Sequence, residues 1–198
     1  MNINYSKNFN DSYTFNVPLN KEVIDSIINL ANPISTTKAI TQDSNLQSHR
    51  KSDIKWIPQN NSTKWLYTEL KNIIKYANNE HYGFNITDYS EQIQFTEYGN
   101  KGKYDWHTDQ TFSSDSLVRK LSIIIQLSSP QEYLGGIIQI DQSEFDNYTF
   151  GVKDNINSIP RKLGLVTVFP SFLSHKVTKV VKGNRKSLVW WVKGPHFK

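Results

Sequence analysis

The strongest constraint on the fold is a succession of short segments in the second half of the chain, each the length of a β-strand. Glycines lie at or beside many of the breaks between them. The predicted strands are 91–98, 104–109, 119–128, 136–141, 147–152, 164–169, 175–181 and 185–193. Short strands in series, without helices between them, favour an antiparallel double sheet over a parallel α/β fold.

Two helical patterns precede these strands. Apolar residues at helical spacing predict one helix near 20–32, which Pro33 ends, and a second near 62–80. A short strand is predicted from Ile54 to Ile57, and the polar residues 34–53 are predicted to form a long loop. We expect 34–58 to be mobile and to become ordered when a substrate binds. The predicted class is α+β, with the helices packed on the outside of one sheet.

The two faces of the predicted strands differ in polarity. Period-two alternation in 119–128 separates an apolar face (Leu121, Ile123, Ile125 and Leu127) from one that carries Ser122, Ile124 and Gln126. The strands 91–98 and 185–193 divide in the same way. The apolar faces suit packing under helices, whereas a face with polar groups between hydrophobic ones is typical of a ligand cavity.

Composition excludes several classes of protein. The chain has 198 residues, enough for one domain, and no cysteine, which rules out disulfides, thiolate metal sites and a cysteine nucleophile. Its net charge of +5 comes from scattered Lys and Arg residues, so nucleic acid is not an expected partner. We find neither an apolar run of about 20 residues nor a signal peptide, and therefore expect a cytoplasmic protein without a membrane partner.

Three residues form a candidate metal site. His107 and Asp109 lie two positions apart on a predicted strand, so their side chains point to the same side, and His175 opens another strand. Two histidines and one carboxylate are the facial ligand set of non-haem Fe(II), which leaves coordination positions open.

Two further residues form a candidate anion site. Arg185 and Ser187 share the polar face of 185–193. A guanidinium and a hydroxyl together recognise a carboxylate through charge-assisted hydrogen bonds. The metal needs a co-substrate that chelates it and carries a distal carboxylate, and 2-oxoglutarate does both.

The combination of motifs resembles the Fe(II)/2-oxoglutarate dioxygenases of the prolyl-4-hydroxylase-like class, and among them the PKHD-type hydroxylases of bacteria and phages. The resemblance covers roughly residues 50–197. The motifs are, in chain order, Arg50-x-Ser52-x3-Trp56-Ile57, Tyr98-x5-Tyr104-x-Trp106-His107-x-Asp109, Arg119-Lys120-Leu121-Ser122, Gln131-x-Tyr133-x-Gly135-Gly136, Phe169-Pro170-Ser171-x3-His175-x-Val177 and Gly183-x-Arg185-x-Ser187-x3-Trp191-x2-Gly194-Pro195.

The resemblance implies a double-stranded β-helix (a cupin-like jelly roll) with iron held by His107, Asp109 and His175. It also implies that Arg185 holds the distal carboxylate of 2-oxoglutarate. The co-substrate site would further include Tyr98, Ser187, Gln126 and Trp191. Residues 1–198 would form one dioxygenase domain, with 1–90 as N-terminal helical support and loop and 91–198 as the β-helix core.

The family reaction splits 2-oxoglutarate into succinate and carbon dioxide, consumes O2 and hydroxylates an unactivated C–H bond; ascorbate is a further expected ligand. The leading substrate is a prolyl residue in a peptide or protein, with Arg119, Trp106 and Trp56 as candidates for the substrate channel. The alternatives are hydroxylation of a free amino acid or small metabolite, and a non-catalytic binding domain. The nucleic-acid demethylases of the superfamily usually carry a second arginine where this chain has Trp191.

Overall fold

Two antiparallel sheets, with two helices against the larger one, make up most of the described chain. A computed structural model describes residues 15–39, 49–110, 116–141 and 156–197. The helices are α1 (Lys21–Ala31) and α2 (Lys64–Ala77), and a π-helical turn at Asn78–Tyr82 follows α2. The strands are β1 (Phe15–Pro18), β2 (Thr37–Lys38), β3 (Arg50–Lys51), β4 (Asp53–Ile57), β5 (Ile93–Tyr98), β6 (Lys103–His107), β7 (Leu117–Gln126), β8 (Tyr133–Gly135), β9 (Ile138–Asp141), β10 (Ile156–Ser158), β11 (Leu165–Pro170), β12 (His175–Val177), β13 (Val180–Gly183) and β14 (Arg185–Pro195).

The larger sheet has seven strands in the order β1-β11-β7-β14-β5-β4-β2, and the smaller has five in the order β10-β9-β12-β6-β3. A two-stranded ribbon of β13 and β8 completes the fold. All the pairings between these strands are antiparallel, which confirms the predicted class and is consistent with a double-stranded β-helix. None of the helices in the described ranges is long and apolar enough to cross a membrane.

The two faces of the larger sheet carry different kinds of side chain, as the alternation in the sequence predicts. The apolar positions of β5, β7 and β14 pack with those of α1 and α2 in one continuous hydrophobic cluster. The opposite face packs against the smaller sheet through a second cluster, which includes Ile124, Phe169 and Ile140. The polar residues of that face therefore lie between the two sheets.

Several element boundaries differ from the sequence-based expectations. The predicted strand 175–181 is two strands, β12 and β13, which belong to different sheets because the chain leaves the smaller sheet at Thr178. The strands β2, β3, β8 and β10 were not predicted, because two or three residues are too few to show a period. The predicted strand 147–152 lies outside the described residues.

The predicted strand Ile54–Ile57 is present as β4, whereas the predicted loop 34–53 is partly sheet, because it contains β2 and β3. Residues 40–48 of that loop lie outside the described residues. Strand β4 pairs with β5 over five residues and with β2 on its other side, and Ile57 is fully buried. A strand between two neighbours is fixed by hydrogen bonds on both edges, so we do not expect residues 53–57 to move as part of a lid. Strands from the first 90 residues thus extend both sheets, in addition to the helical support expected there.

Candidate active site

A cavity of about 230 Å³ lies between the two sheets. It is lined by side chains from both, among them all three candidate metal ligands and Arg185. The candidate metal site and the candidate anion site therefore face the same cavity.

A β-bulge in β6 shapes the cavity wall. His107 pairs with His175 on β12, and the next matched pair is Tyr104 with Val177. Between these two pairs the chain advances by three residues on β6 but by only two on β12, so β6 contains one extra residue. Such a bulge re-aims side chains. It brings Tyr104 and His107 to the same side of the strand, where their rings stack with centroids 3.5 Å apart.

Asp109 lines the cavity as predicted, but from a loop and not from a strand. The strand was expected to run to residue 109, but β6 ends at His107. Asp109 follows in a loop, where its backbone N–H donates to the carbonyl of Ser171 at 3.0 Å. Its Oδ2 accepts a hydrogen bond from the Ser122 hydroxyl at 2.7 Å, and the Ser122 and Ser171 hydroxyls lie 2.9 Å apart. The carboxylate is thereby held in one orientation.

Both histidines present their Nε2 atoms to Asp109. His107 Nδ1 lies 2.8 Å from the carbonyl of Asp105, and His175 Nδ1 lies 3.0 Å from the carbonyl of Leu173. A carbonyl oxygen only accepts, so each Nδ1 carries the proton and each Nε2 keeps its lone pair. The two Nε2 atoms stand 3.7 and 3.5 Å from the two carboxylate oxygens of Asp109.

The electrostatics of this cluster favour the protonation states that bind a metal. Burial, helped by the nearby His175, lowers the pKa of His107 to about 3, so its imidazole is neutral at pH 7. Burial works to raise the pKa of Asp109, but the neighbouring histidines and the hydrogen bond from Ser122 together lower that pKa overall, which keeps the carboxyl ionised. Ligand atoms from all three residues lie within 4.8 Å of one another, close enough to surround one ion.

Arg185 is a buried cation without an acidic partner among the described residues. Its side chain is 1% exposed, and burial lowers the pKa of its guanidinium. Nη1 donates to the Ser187 hydroxyl at 3.1 Å and Nη2 donates to Gln126 Oε1 at 2.9 Å, while Nε has no hydrogen-bond partner. Buried charges are normally paired, so a guanidinium held only by neutral groups indicates a site for an anion.

Gly136 provides the space for this guanidinium. Its φ of +59° favours glycine, and a Cβ there would lie 2.8 Å from Cδ of Arg185. The Gly135-Gly136 motif thus has a physical reason: one of its residues packs against the candidate anion site.

The other predicted co-substrate residues surround Arg185. Tyr98 pairs with Arg185 across β5 and β14, lines the cavity, and has its ring centroid 5.2 Å from the guanidinium carbon. Ser187 and Trp191 line the cavity too. Gln126 does not; it lies behind Arg185 and orients it, a role that the sequence reasoning missed.

Two of the three predicted substrate residues, Trp56 and Arg119, line the cavity, and Trp106 does not. Trp56, which is 38% exposed, and Trp191 line the cavity with ring centroids 6.4 Å apart. Trp106 does not line it: on the far side of the bulge its ring packs under Lys176 Nζ at 4.4 Å. Its position therefore gives no support to the expectation that Trp106 forms part of a substrate channel.

Arg119 lines the cavity but is already paired. Its Nε and Nη2 donate to the two carboxylate oxygens of Glu91 at 2.9 and 2.6 Å. Its guanidinium carbon lies 3.9 Å from the centroid of the Trp191 ring. Glu91 also pairs with Lys193 Nζ at 2.9 Å, and its two contacts with Arg119 hold the guanidinium against Trp191.

One comparison of sequence identifies the family. The family model described as "2OG-Fe(II) oxygenase superfamily" matches residues 93–193, half of the chain. The chain belongs to the 2OG-Fe(II) oxygenase superfamily. Fe(II), 2-oxoglutarate and O2 are the cofactor and co-substrates that this family implies, and the His-Asp-His group is a donor set that could hold the iron.

Curated relatives point to one branch of the superfamily. The chain is similar to a PKHD-type hydroxylase of Crocosphaera subtropica, 32% identical over 107 residues, and to one of Prochlorococcus marinus, 34% identical over 89 residues. These matches cover 50% and 45% of the chain, but only 41% and 35% of the relatives' own lengths.

Solved structures share the fold over nearly the whole chain. A Pseudomonas putida prolyl-4-hydroxylase superposes with a TM-score of 0.70 at 16% identity, covering 94% of this chain and 95% of that one. A Trichoplax adhaerens prolyl hydroxylase, solved with a peptide fragment of hypoxia inducible factor, gives 0.68 at 16% identity, covering 92% and 84%. At this identity the likeness concerns the fold alone.

The geometry predicts which histidines bind metal. His107→Ala and His175→Ala should each abolish tight Mn(II) binding, because each removes one of three converging donors. His81→Ala should not, because His81 is exposed and outside this cluster. Titration calorimetry with Mn(II) measures the affinities. Unchanged affinity in either of the first two variants would contradict the assignment.

Proposed function

We propose that this chain is an Fe(II)- and 2-oxoglutarate-dependent dioxygenase that hydroxylates prolyl residues in a peptide or protein. One observation carries the proposal: a single cavity contains both the converging donor atoms of His107, Asp109 and His175 and a buried guanidinium without an acidic partner among the described residues. The first fits the iron of the superfamily and the second fits the anionic co-substrate.

The three metal ligands are suited to Fe(II) by their chemistry. Two imidazole nitrogens and one carboxylate oxygen leave room for other ligands. Hydrogen bonds from each Nδ1–H to a backbone carbonyl, and from Ser122 to Asp109, hold the donors in place before the metal arrives. We propose His107, Asp109 and His175 as the iron ligands.

Arg185 is the proposed anchor for the distal carboxylate of 2-oxoglutarate. Its fork of donors matches a carboxylate, and Gln126 and Ser187 fix the plane of the guanidinium. Tyr98 lies beside it on the cavity wall and is placed to donate its phenolic proton to the same co-substrate. The low polarity of the surrounding wall, from Ile124, Ile138 and Val189, strengthens these charge interactions.

The proposed reaction balances as one C–H bond of the target plus O2 and 2-oxoglutarate giving one C–OH group, succinate and CO2. Bound iron supplies the oxidation chemistry. The chain holds the co-substrate carboxylate at Arg185 and keeps the imidazole of His107 neutral. We also propose that residues 1–198 act as one domain, with 91–198 as the core.

Prolyl substrates are proposed from the relatives. The P. putida and T. adhaerens structures are prolyl hydroxylases, and the second was solved with a peptide. In this chain Trp56 and Trp191 form an aromatic rim at the cavity, which suits the flat apolar ring of proline.

The direct test is turnover with a library of proline-containing peptides. With Fe(II), 2-oxoglutarate and air, the parent should release succinate, and mass spectrometry should show an added oxygen (about 16 Da) on proline. His107→Ala is the control and should do neither. Succinate release without modified proline, but with a modified free amino acid, would favour the small-molecule alternative; no succinate release under any condition would contradict the proposal.

Arg185 should control the affinity for 2-oxoglutarate. Removing one partner of a buried, hydrogen-bonded charge pair costs about 2–5 kcal/mol, which is roughly 30-fold to several thousand-fold in affinity. Arg185→Ala should show this loss, and Arg185→Lys should recover only part of it, because an ammonium cannot make the forked contact.

Ser187→Ala is the matched comparison, because it removes a neutral hydroxyl from the same place and should cost only about 0.5–1.5 kcal/mol. Titrating 2-oxoglutarate into the Mn(II)-loaded variants gives the ranking. Equal affinity in Arg185→Ala and the parent would mean that another cation binds the carboxylate.

A further inference from the structure

A third arginine faces the cavity, and one of its donors has no partner. Arg50, on the edge strand β3, lines the cavity with its guanidinium carbon 4.5 Å from the centroid of the Tyr104 ring. Its Nε donates to the Ser52 hydroxyl at 2.8 Å. Its Nη2 is buried and makes no hydrogen bond. Leaving a buried charged donor unsatisfied is costly, so this atom is suited to a ligand.

The cavity contains three arginines, and two of them already have an assigned anionic partner. Glu91 pairs with Arg119 through two hydrogen bonds. Arg185 is the proposed anchor of the co-substrate. Within the described ranges no acidic side chain forms an ion pair with Arg50. Its positive charge therefore remains uncompensated after the co-substrate has bound.

Arg50 also lines a second cavity of about 400 Å³. The charged residues that share this cavity with it are Lys38, Lys51, Asp53 and Glu97. One side of the arginine thus faces the metal cluster and the other faces a groove open to solvent. A group that binds Arg50 from the groove lies next to the reaction site without occupying the place of the co-substrate.

We propose that Arg50 is a specificity-determining residue that binds a carboxylate of the target, close to the carbon that is hydroxylated. This inference rests on the proposed function, because it takes the other anion site to be filled by 2-oxoglutarate. The target class is a proline derivative that carries a carboxylate, either the terminal carboxylate of the proline itself or the side chain of an acidic neighbour.

The experiment compares acid and amide probes of the same shape. N-acetyl-L-proline is compared with N-acetyl-L-prolinamide, and N-acetyl-L-prolyl-L-glutamic acid α-amide with N-acetyl-L-prolyl-L-glutaminamide. Binding is measured by calorimetry on protein saturated with Mn(II) and 2-oxoglutarate under nitrogen. The first pair tests a terminal carboxylate and the second tests an acidic side chain.

The parent should bind the acid of at least one pair about 10-fold to 100-fold more tightly than its amide, as expected for a charge-assisted hydrogen bond. Arg50→Gln keeps a polar side chain but should lose this preference, and Arg50→Lys should keep part of it. Lys64→Gln removes the same charge from an exposed residue that lines neither cavity and should retain the preference. No preference in the parent, no measurable binding of either acid, or an unchanged preference in Arg50→Gln would overturn the proposal.

The readout separates this inference from the proposed function. If the parent releases no succinate but discriminates acids through Arg50, the proposed reaction fails and the assignment of Arg50 stands. If it releases succinate and does not discriminate, Arg50 is not the specificity residue and the proposed reaction stands.

Discussion

The site depends on one buried cation, the guanidinium of Arg185, enclosed between two sheets with no carboxylate of the described chain beside it. Burying an unpaired charge is expensive, and the surrounding structure limits this cost with neutral groups. Gln126 and Ser187 each accept a hydrogen bond, and Gly136 leaves the space that the side chain needs. The stability of the folded protein is therefore linked to an anionic ligand, and the fold holds that ligand opposite the metal cluster.

The distribution of charge explains how one cavity can contain three arginines. Arg119 is paired with Glu91 and supports Trp191, whereas Arg185 and Arg50 retain donors that nothing in the described chain satisfies. On the opposite side of the cavity, carbonyl oxygens fix the tautomers of His107 and His175. The chain thus separates a positively charged part, suited to carboxylates, from a cluster of neutral and anionic donors, suited to a metal.

The sequence predicted the faces of the strands better than their ends. Period-two alternation in β5, β7 and β14 assigned each residue to the helical or the cavity side, because one face of each strand is almost wholly apolar. The bulge in β6 was not predictable in this way, since it adds a residue without changing composition. Trp106 was expected in the cavity because aromatic rings stack on proline, although alternation places it on the side of the strand opposite His107; the end of β6 before Asp109 was missed. The pairing of Arg119 with Glu91, 28 positions apart, and the roles of Arg50 and Gln126 depend on contacts that no local pattern records.

The central claim is that metal and co-substrate occupy one site, and urea unfolding tests it most directly. A ligand that binds only the folded state stabilises it by about 2.7 kcal/mol at 100 times its Kd. If both ligands share the cavity, Mn(II) and 2-oxoglutarate together should raise the free energy of unfolding by more than the sum of their separate effects. Strictly additive stabilisation would mean that the two bind independently, and would contradict the account.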